Sequence, residues 1–262
     1  LDVHTDVDHH RSVFTLAGSP GRLSAAVLRG ARQAITSIDL ARHRGAHPRV
    51  GAIDVAPIVY LREEDRGAAC AEALVLADRL GSEGRLPVFL YGPLGGGRTR
   101  AELRRGGRRA LAARMAAHEL VPDFGPDQPH PTAGAVLVGA RSPLIAFNVE
   151  LASPATAEEA RRIAALIREG GPEGWPGLRA IGVWLGQRGV AQVSMNVEDH
   201  GATPLVRLVE AIEKHARVSQ GELVGLAPRA ALENFPERVP LRGAASIEDA
   251  LARIPSRDPE ND

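Results

Sequence analysis

Apolar and polar positions change period several times along the chain, and each change predicts an element. Across RLSAAVLRGARQAITSI, the residues Leu23, Val27, Ala31, Ala34, Ile35 and Ile38 fall on one helical stripe, which predicts an amphipathic helix laid on a sheet. IDVAPIVYL (53–61) and PVFLY (87–91) read as strands rich in β-branched and aromatic residues, and the helical ALVLADRL between them ends at Gly81. Strand, helix, strand predicts a βαβ unit. The Arg-rich stretch 98–118 then reads as a solvated helix, the Pro- and Gly-rich PDFGPDQPHPTAGA as a loop, and AVLVGA and LIAFNVEL as strands.

A second cycle follows. Thr156 and Glu159 have the spacing of a capping box ahead of Ala160, Ile163, Ala164 and Ile167, and Gly170 with Gly171 closes that helix. LRAIGVWLG (178–186) and VAQVSMNVE (190–198) read as strands joined into a hairpin by Gln187, Arg188 and Gly189. Thr203 and Pro204 start another helix with Pro at its first position and Leu205, Leu208, Val209 and Ile212 inward, and ELVGL (222–226) is the last strand. The order β, α, β, β, α, β predicts a ferredoxin-like sandwich. From Glu233 onward the text is Pro- and charge-rich and reads as a tail.

Composition narrows the function classes. The formal net charge is zero, with 32 basic and 32 acidic residues, so the long-range field that gathers nucleic acid or anionic lipid is missing. Neither a polynucleotide nor a membrane is the expected partner. The single cysteine, Cys70, rules out an internal disulfide framework and fits a reducing compartment, so the expected location is the cytoplasm. The chain shows no apolar run long enough to span a bilayer, and it opens on charged LDVHTDVDHH rather than a signal peptide.

Three stretches carry candidate chemistry. GPLGGGRT (92–99) has the spacing of a phosphate-binding loop, but Arg98 replaces the lysine and Pro93 removes a backbone donor, which leaves a flexible connector as the better reading. In HTDVDHHR, a strand would put His4, Asp6, Asp8 and His10 on one face, either as metal ligands with His9 or as the polar end of a strand lining a cleft. In VAQVSMNVE, Val193, Met195 and Val197 alternate with Gln192, Ser194 and Asn196; the polar face meets solvent or fixes an uncharged heterocycle through its amides.

The segments LDVHTDVDHHRSVFTLAG, IDLARHRGAHPRVGAIDVAPIVYL, PVFLYG, PDFGPDQPHPTAGAVLVGARSPLIAFNVEL, VAQVSMNVED and GELVGLAP together resemble the glutamate formiminotransferase family, in register from residue 1 to about residue 232. The H-P-R-x-G-A-x-D-V and D-F-G-P motifs are the specific part of that resemblance. It implies an α/β fold, an α+β sandwich of two ferredoxin-like subdomains facing each other across a folate cleft. The expected division is an N-terminal subdomain over 1–143, a C-terminal subdomain over 144–232 and a disordered tail over 233–262. The family activity is transfer of the formimino group of N-formimino-L-glutamate to tetrahydrofolate, in histidine breakdown and one-carbon metabolism, by an enzyme that pairs as a homodimer. Tetrahydrofolate is then a co-substrate, and no metal is expected.

The resemblance also assigns residues. His47, the histidine of H-P-R, is implied as the catalytic acid and base, and the folate-lining segment is implied to be Gly125, Pro126, Asp127, Gln128, Pro129, His130, Pro131, Thr132, Ala133 and Gly134. An imidazole with an ordinary pKa of about 6.5 can both take and return a proton near neutral pH, and Pro48 keeps His47 out of a helix. Arg49 and Arg11 are candidates for the glutamate carboxylates, Asp54 for orienting an imidazole or balancing Arg49, and Gln192 and Asn196 for the folate. His43, with Arg44, is expected to serve a helix end instead. Four features depart from the family: the chain starts after a usual strand and helix, His4 and His10 replace an acidic residue and an asparagine, the connection from Lys214 to Glu222 is shorter than usual, and nothing after residue 232 is expected to form a cyclodeaminase domain. A monofunctional transferase is therefore the expectation. The alternatives are transfer of a formyl group from formyl-glutamate or 5-formyl-tetrahydrofolate, or a catalytically silent folate-binding protein.

Overall fold

A computed structural model describes residues 1–45 and 47–254. They form two compact units, one of residues 18–142 and one joining residues 1–17 to the chain from Pro143 onward. The chain opens on an antiparallel hairpin of β1 (Asp2–Asp6) and β2 (Arg11–Thr15), with Asp6 facing Arg11.

In the 18–142 unit, three parallel strands run in the order β3 (Val55–Val59), β5 (Val136–Arg141), β4 (Val88–Leu90). Helices α1 (Leu23–Ser37) and α2 (Arg66–Ser82) pack on one face, where Leu28, Leu76, Leu80, Val88 and Val136 make one core. The short α3 (Arg100–Arg104) and α4 (Gly107–Ala116) bring Leu103, Leu111 and Met115 against Phe89 and Leu137 in another. A sheet covered on both faces needs continuous apolar strands, and β5 is buried from Val136 to Ala140. Glu72 of α2 reaches back to accept the N–H groups of Gly21 and Ser24, so a residue 48 positions from Ser24 caps the start of α1. The Arg-rich stretch is thus not one solvated helix. Gly106 and Gly107, at φ +74° and +67°, break it in two, and each piece buries apolar residues.

In the other unit, β6 (Ile145–Leu151), α5 (Ala157–Ile167), β7 (Leu178–Leu185), β8 (Val190–Val197), α6 (Leu205–Glu213) and β9 (Val218–Leu223) follow the predicted β, α, β, β, α, β order. Their sheet runs β9, β6, β8, β7, all antiparallel, which is ferredoxin-like. The capping box of Thr156 and Glu159 starts α5, while Pro204 sits one position earlier than expected, at the N-cap of α6. The last sandwich strand lies upstream of the expected 222–226, beginning at Val218 and ending at Leu223.

One expectation needs correction. The tail is structured through its described part: α7 (Arg229–Leu232), β10 (Leu241–Arg242), which extends the sheet parallel to β9, and α8 (Ile247–Ala252). Phe235 meets Phe147 edge to face with centroids 5.9 Å apart, and Val239 is buried, so this polar text carries enough apolar residues to hold it down. Residues 255–262 of the expected tail lie outside the described residues. By their contacts the first seventeen residues group with the chain from Pro143 onward. Arg188 pairs with Asp6 at 2.9 Å, and the Gln187 N–H donates to Asp8 Oδ1 at 2.8 Å.

Candidate active site

The 18–142 unit holds the H-P-R segment, and backbone hydrogen bonds stitch that segment to the end of the D-F-G loop. The Leu40 N–H donates to the Thr132 carbonyl at 2.9 Å, Ala52 to Ala133 at 2.9 Å, and Ala135 to Val50 at 3.1 Å. Glycines make this approach possible. A Cβ on Gly51 would lie 1.7 Å from the Ala135 oxygen, and one on Gly134, at φ +71°, would lie 2.2 Å from the Val50 oxygen. His130 closes the loop by exchanging both backbone bonds with Gly134 and accepting the Ala133 N–H at Nδ1, 3.1 Å away. Gly125 fits against the Leu86 carbonyl at the other end, and Asp123 accepts the Leu90 N–H at 2.7 Å.

His47 sits on this frame. Its Nδ1 lies 2.7 Å from the Pro48 carbonyl oxygen. A carbonyl only accepts, so the neutral ring carries its proton on Nδ1 and turns Nε2 into the basic nitrogen. Arg49 fixes the backbone of the same loop, donating to the carbonyls of Gly45 (3.1 Å), His47 (3.0 Å) and His43 (3.1 Å). Burial lowers the pKa of its guanidinium and the neighbouring Asp54 carboxylate raises it, with a net downward shift that leaves it charged. Asp54 is buried, accepts the Val50 N–H at 2.8 Å and forms an ion pair with Arg104 of α3. It therefore anchors the strand that follows the loop.

A cavity of about 340 Å³ opens beside His47, lined by Leu40, Gly45, Pro48, Arg49, Gly107 and Arg108. Its size is in the range of small-molecule sites. Arg108, in the first turn of α4, donates to the Pro131 carbonyl at 3.3 Å and so also touches the folate-lining candidates. Reading the stretch as a solvated helix misses Arg108 and the Arg104–Asp54 pair. The signal that could have found Arg108 is two arginines at the positive end of a helix with no acid in its first turn.

The other unit holds Arg11, Gln192 and Asn196. Gln192 is fully buried on the face of β8 opposite Val193, Met195 and Val197, so the expected solvent or ligand face is packed at that point. Its amide N–H reaches Glu222 at 3.4 Å, and Asn148 donates to the same carboxylate at 3.2 Å. Around them, Glu150 pairs with Arg188 at 2.7 Å and with Arg242 at 3.2 Å, and Arg242 pairs with Glu222 at 2.7 Å. Asn196 and Arg11 are half-buried.

Three sequence readings change. The strand β1 stops at Asp6, so Asp8, His9 and His10 fall in the turn, and the alternation expected across His4 to His10 ends there. Asp6 binds His9 Nδ1 at 2.8 Å and Arg188, and among the described residues no group of three or more His, Cys, Asp or Glu is arranged to hold a metal. The glycine-rich 92–99 segment is a tied turn, since Arg98 donates to the Gly95 carbonyl at 3.0 Å and pairs with Asp123 at 2.6 Å. Neither His43 nor Arg44 serves a helix end, because α1 stops at Ser37; Arg44 instead donates to the carbonyls of Ala41 and His43 in the segment beyond it, both at 3.1 Å.

Comparison with known proteins assigns the family. A family model described as the formiminotransferase domain, N-terminal subdomain, matches residues 1–141, and one described as the formiminotransferase domain matches residues 146–237. The chain is 37% identical over 245 residues to a glutamate formimidoyltransferase of Streptococcus pyogenes, covering 90% of this chain and 81% of that protein. It is 33% identical over 242 residues to a glutamate formimidoyltransferase of Thermoplasma acidophilum, covering 88% of this chain and 79% of that one. Against the formimidoyltransferase-cyclodeaminase of Gallus gallus it is 38% identical over 250 residues, which is 90% of this chain and 46% of that longer protein. No helix among the described residues is long and apolar enough to cross a membrane. This chain belongs to the formiminotransferase family of transferase enzymes.

Proposed function

We propose that the protein transfers the formimino group of N-formimino-L-glutamate to tetrahydrofolate, releasing L-glutamate and 5-formimino-tetrahydrofolate. The observation that carries this reading is His47, held by the Pro48 carbonyl on the wall of the 340 Å³ cavity, in a loop stitched to residues 130–135. The secondary amine N5 of tetrahydrofolate attacks the formimino carbon, and the new carbon–nitrogen bond forms as the proton leaves N5 for His47 Nε2. The bond from that carbon to the glutamate nitrogen then breaks, and His47 returns the proton to the leaving amine. One imidazole serves both steps, and such acid–base help is usually worth about 10²–10⁴-fold.

Gly125 to Gly134 fits a folate-lining role because its backbone is closely packed at both ends and its side chains Asp127, Gln128 and Thr132 are exposed and polar. In the other unit, taken by itself, Arg11 and Asn196 are half-buried and keep their candidacy for binding, whereas Gln192 is fully buried against Glu222. Asp54 acts on the His47 loop indirectly, through Val50 and Arg104. The reading extends to a cytoplasmic homodimer serving histidine breakdown, supported by the family relationship and the single cysteine, with light scattering as the check on assembly.

The test is to mix the purified protein with N-formimino-L-glutamate and tetrahydrofolate, acidify, and measure the absorbance of methenyl-tetrahydrofolate. Formation that depends on both substrates supports the reading. No formation while formyl-glutamate is consumed would replace the formimino donor by a formyl donor.

A further inference from the structure

We propose that Arg108 is the specificity-determining residue of the cavity, recognising the donor by a carboxylate; this rests on the transfer reading above. The arginines around the cavity are not equivalent. Arg49 is bound to three carbonyls of its own loop, which makes it a positioning residue for His47 rather than a hand for substrate. Of the arginines in the 98–114 stretch, Arg98 is paired with Asp123, Arg104 with Asp54, and Arg114 donates to the carbonyls of Glu102 and Leu103. Arg108 lines the cavity with His47, has one hydrogen bond, the 3.3 Å contact to the Pro131 carbonyl, and has no carboxylate partner among the described residues.

Its placement is also unfavourable without a ligand. Arg108 and Arg109 occupy the first turn of α4, at the positive end of the helix, and that turn holds no acidic residue. Cations there face the positive end of the helix dipole with no side-chain cap, and an anion in the cavity relieves the conflict. A local rule broken next to a catalytic side chain is expected where binding requires it. A guanidinium fork matches a carboxylate in two parallel hydrogen bonds, and the donor carries its carboxylates on the glutamate part that departs. Held by Arg108, that part keeps its nitrogen near His47 while the formimino carbon meets the incoming amine.

The test is calorimetric binding of N-formimino-L-glutamate, without folate, to the wild type, Arg108→Gln and Arg108→Lys, alongside KM and kcat with tetrahydrofolate. Arg108→Gln is expected to raise Kd and KM about 10- to 100-fold, the usual worth of a hydrogen bond to a charged group, with a much smaller change in kcat. Arg108→Lys is expected to recover part of the loss. Two neutralised donors, N-formimino-L-glutamine and the α-amide of N-formimino-L-glutamate, identify the carboxylate: the wild type discriminates against at least one of them and Arg108→Gln does not. Equal affinity of wild type and Arg108→Gln for N-formimino-L-glutamate, with both folded by circular dichroism, overturns the proposal alone. Binding lost in the variant but no turnover by the wild type overturns the transfer reading alone. No binding by the wild type overturns both.

Discussion

The two units solve the problem of placing polar groups in opposite ways. Around His47, the chain in 18–142 is held by backbone bonds and by glycines that let strands approach, so the side chains remain available to a cavity. In the other unit, the polar side chains of the sheet and of the opening hairpin are consumed by one another: Asp6, Asp8, Glu150 and Glu222 are tied through Arg188 and Arg242. Backbone stitching leaves chemistry free, whereas an ionic layer fixes geometry. The second arrangement is costly to break, because removing one member leaves the remaining charges buried and unpaired.

The largest stability effect should therefore come from the ionic layer. Arg188→Ala removes a guanidinium from three carboxylates and is expected to cost about 3 kcal/mol, the lower end for a broken buried pair, since Arg188 is itself a quarter exposed. Hydrogen exchange should speed up in residues 1–17 and in β6 and β8 while residues 47–52 keep their protection. Uniform loss of protection would mean the two arrangements are not independent. Gly134→Ala reverses the pattern. A Cβ at φ +71° against the Val50 oxygen should cost about 2 kcal/mol, read as a lowered urea midpoint, with exchange rising in residues 40–52 and 130–135.

Legibility follows the same division. The His47 loop could be singled out because its residues are consecutive in the sequence, histidine, proline and arginine, and its approach to residues 130–135 rests on Gly51 and Gly134, where a Cβ would meet backbone. The ionic layer could not, since its pairs are 182 residues apart for Asp6 and Arg188 and 92 for Glu150 and Arg242. Periodicity recovered the ferredoxin-like order of β6 to β9, whose helices α5 and α6 carry clean apolar stripes. It failed at 233–254, where Phe235, Val239 and Leu241 are too sparse to show a period but still pack on the core. It failed again at Arg108, where an arginine-rich helix looks solvated whichever way its side chains turn.

The smallest effect concerns acid. Burial raises the Glu72 carboxyl, but the N–H groups of Ser24, Gly21 and Leu23 outweigh it and hold its pKa below the ordinary value. Burial likewise raises Asp6, and hydrogen bonds from His9 with the charges of His9 and Arg188 bring it below the usual range. A depressed carboxyl pKa contributes stability that is present above the unfolded pKa, about 4, and is lost as pH falls through the folded value. Acid should thus loosen both units below about pH 4. Glu72→Gln is expected to cost about 1.5 kcal/mol at pH 7 and to flatten the acid limb of the denaturation curve only for amides of 18–142. A variant with an unchanged acid limb there would remove Glu72 from the account.

In the proposed reaction His47 moves the protons, while the frame around it persists without the imidazole. The direct measurement is the turnover number of His47→Ala against the wild type at saturating N-formimino-L-glutamate and tetrahydrofolate, with the thermal midpoint of each recorded alongside. A fall in kcat of about 10² or more at an unchanged midpoint is predicted. A kcat within about threefold of the wild type would contradict the account, since a group that moves both protons cannot be removed so cheaply.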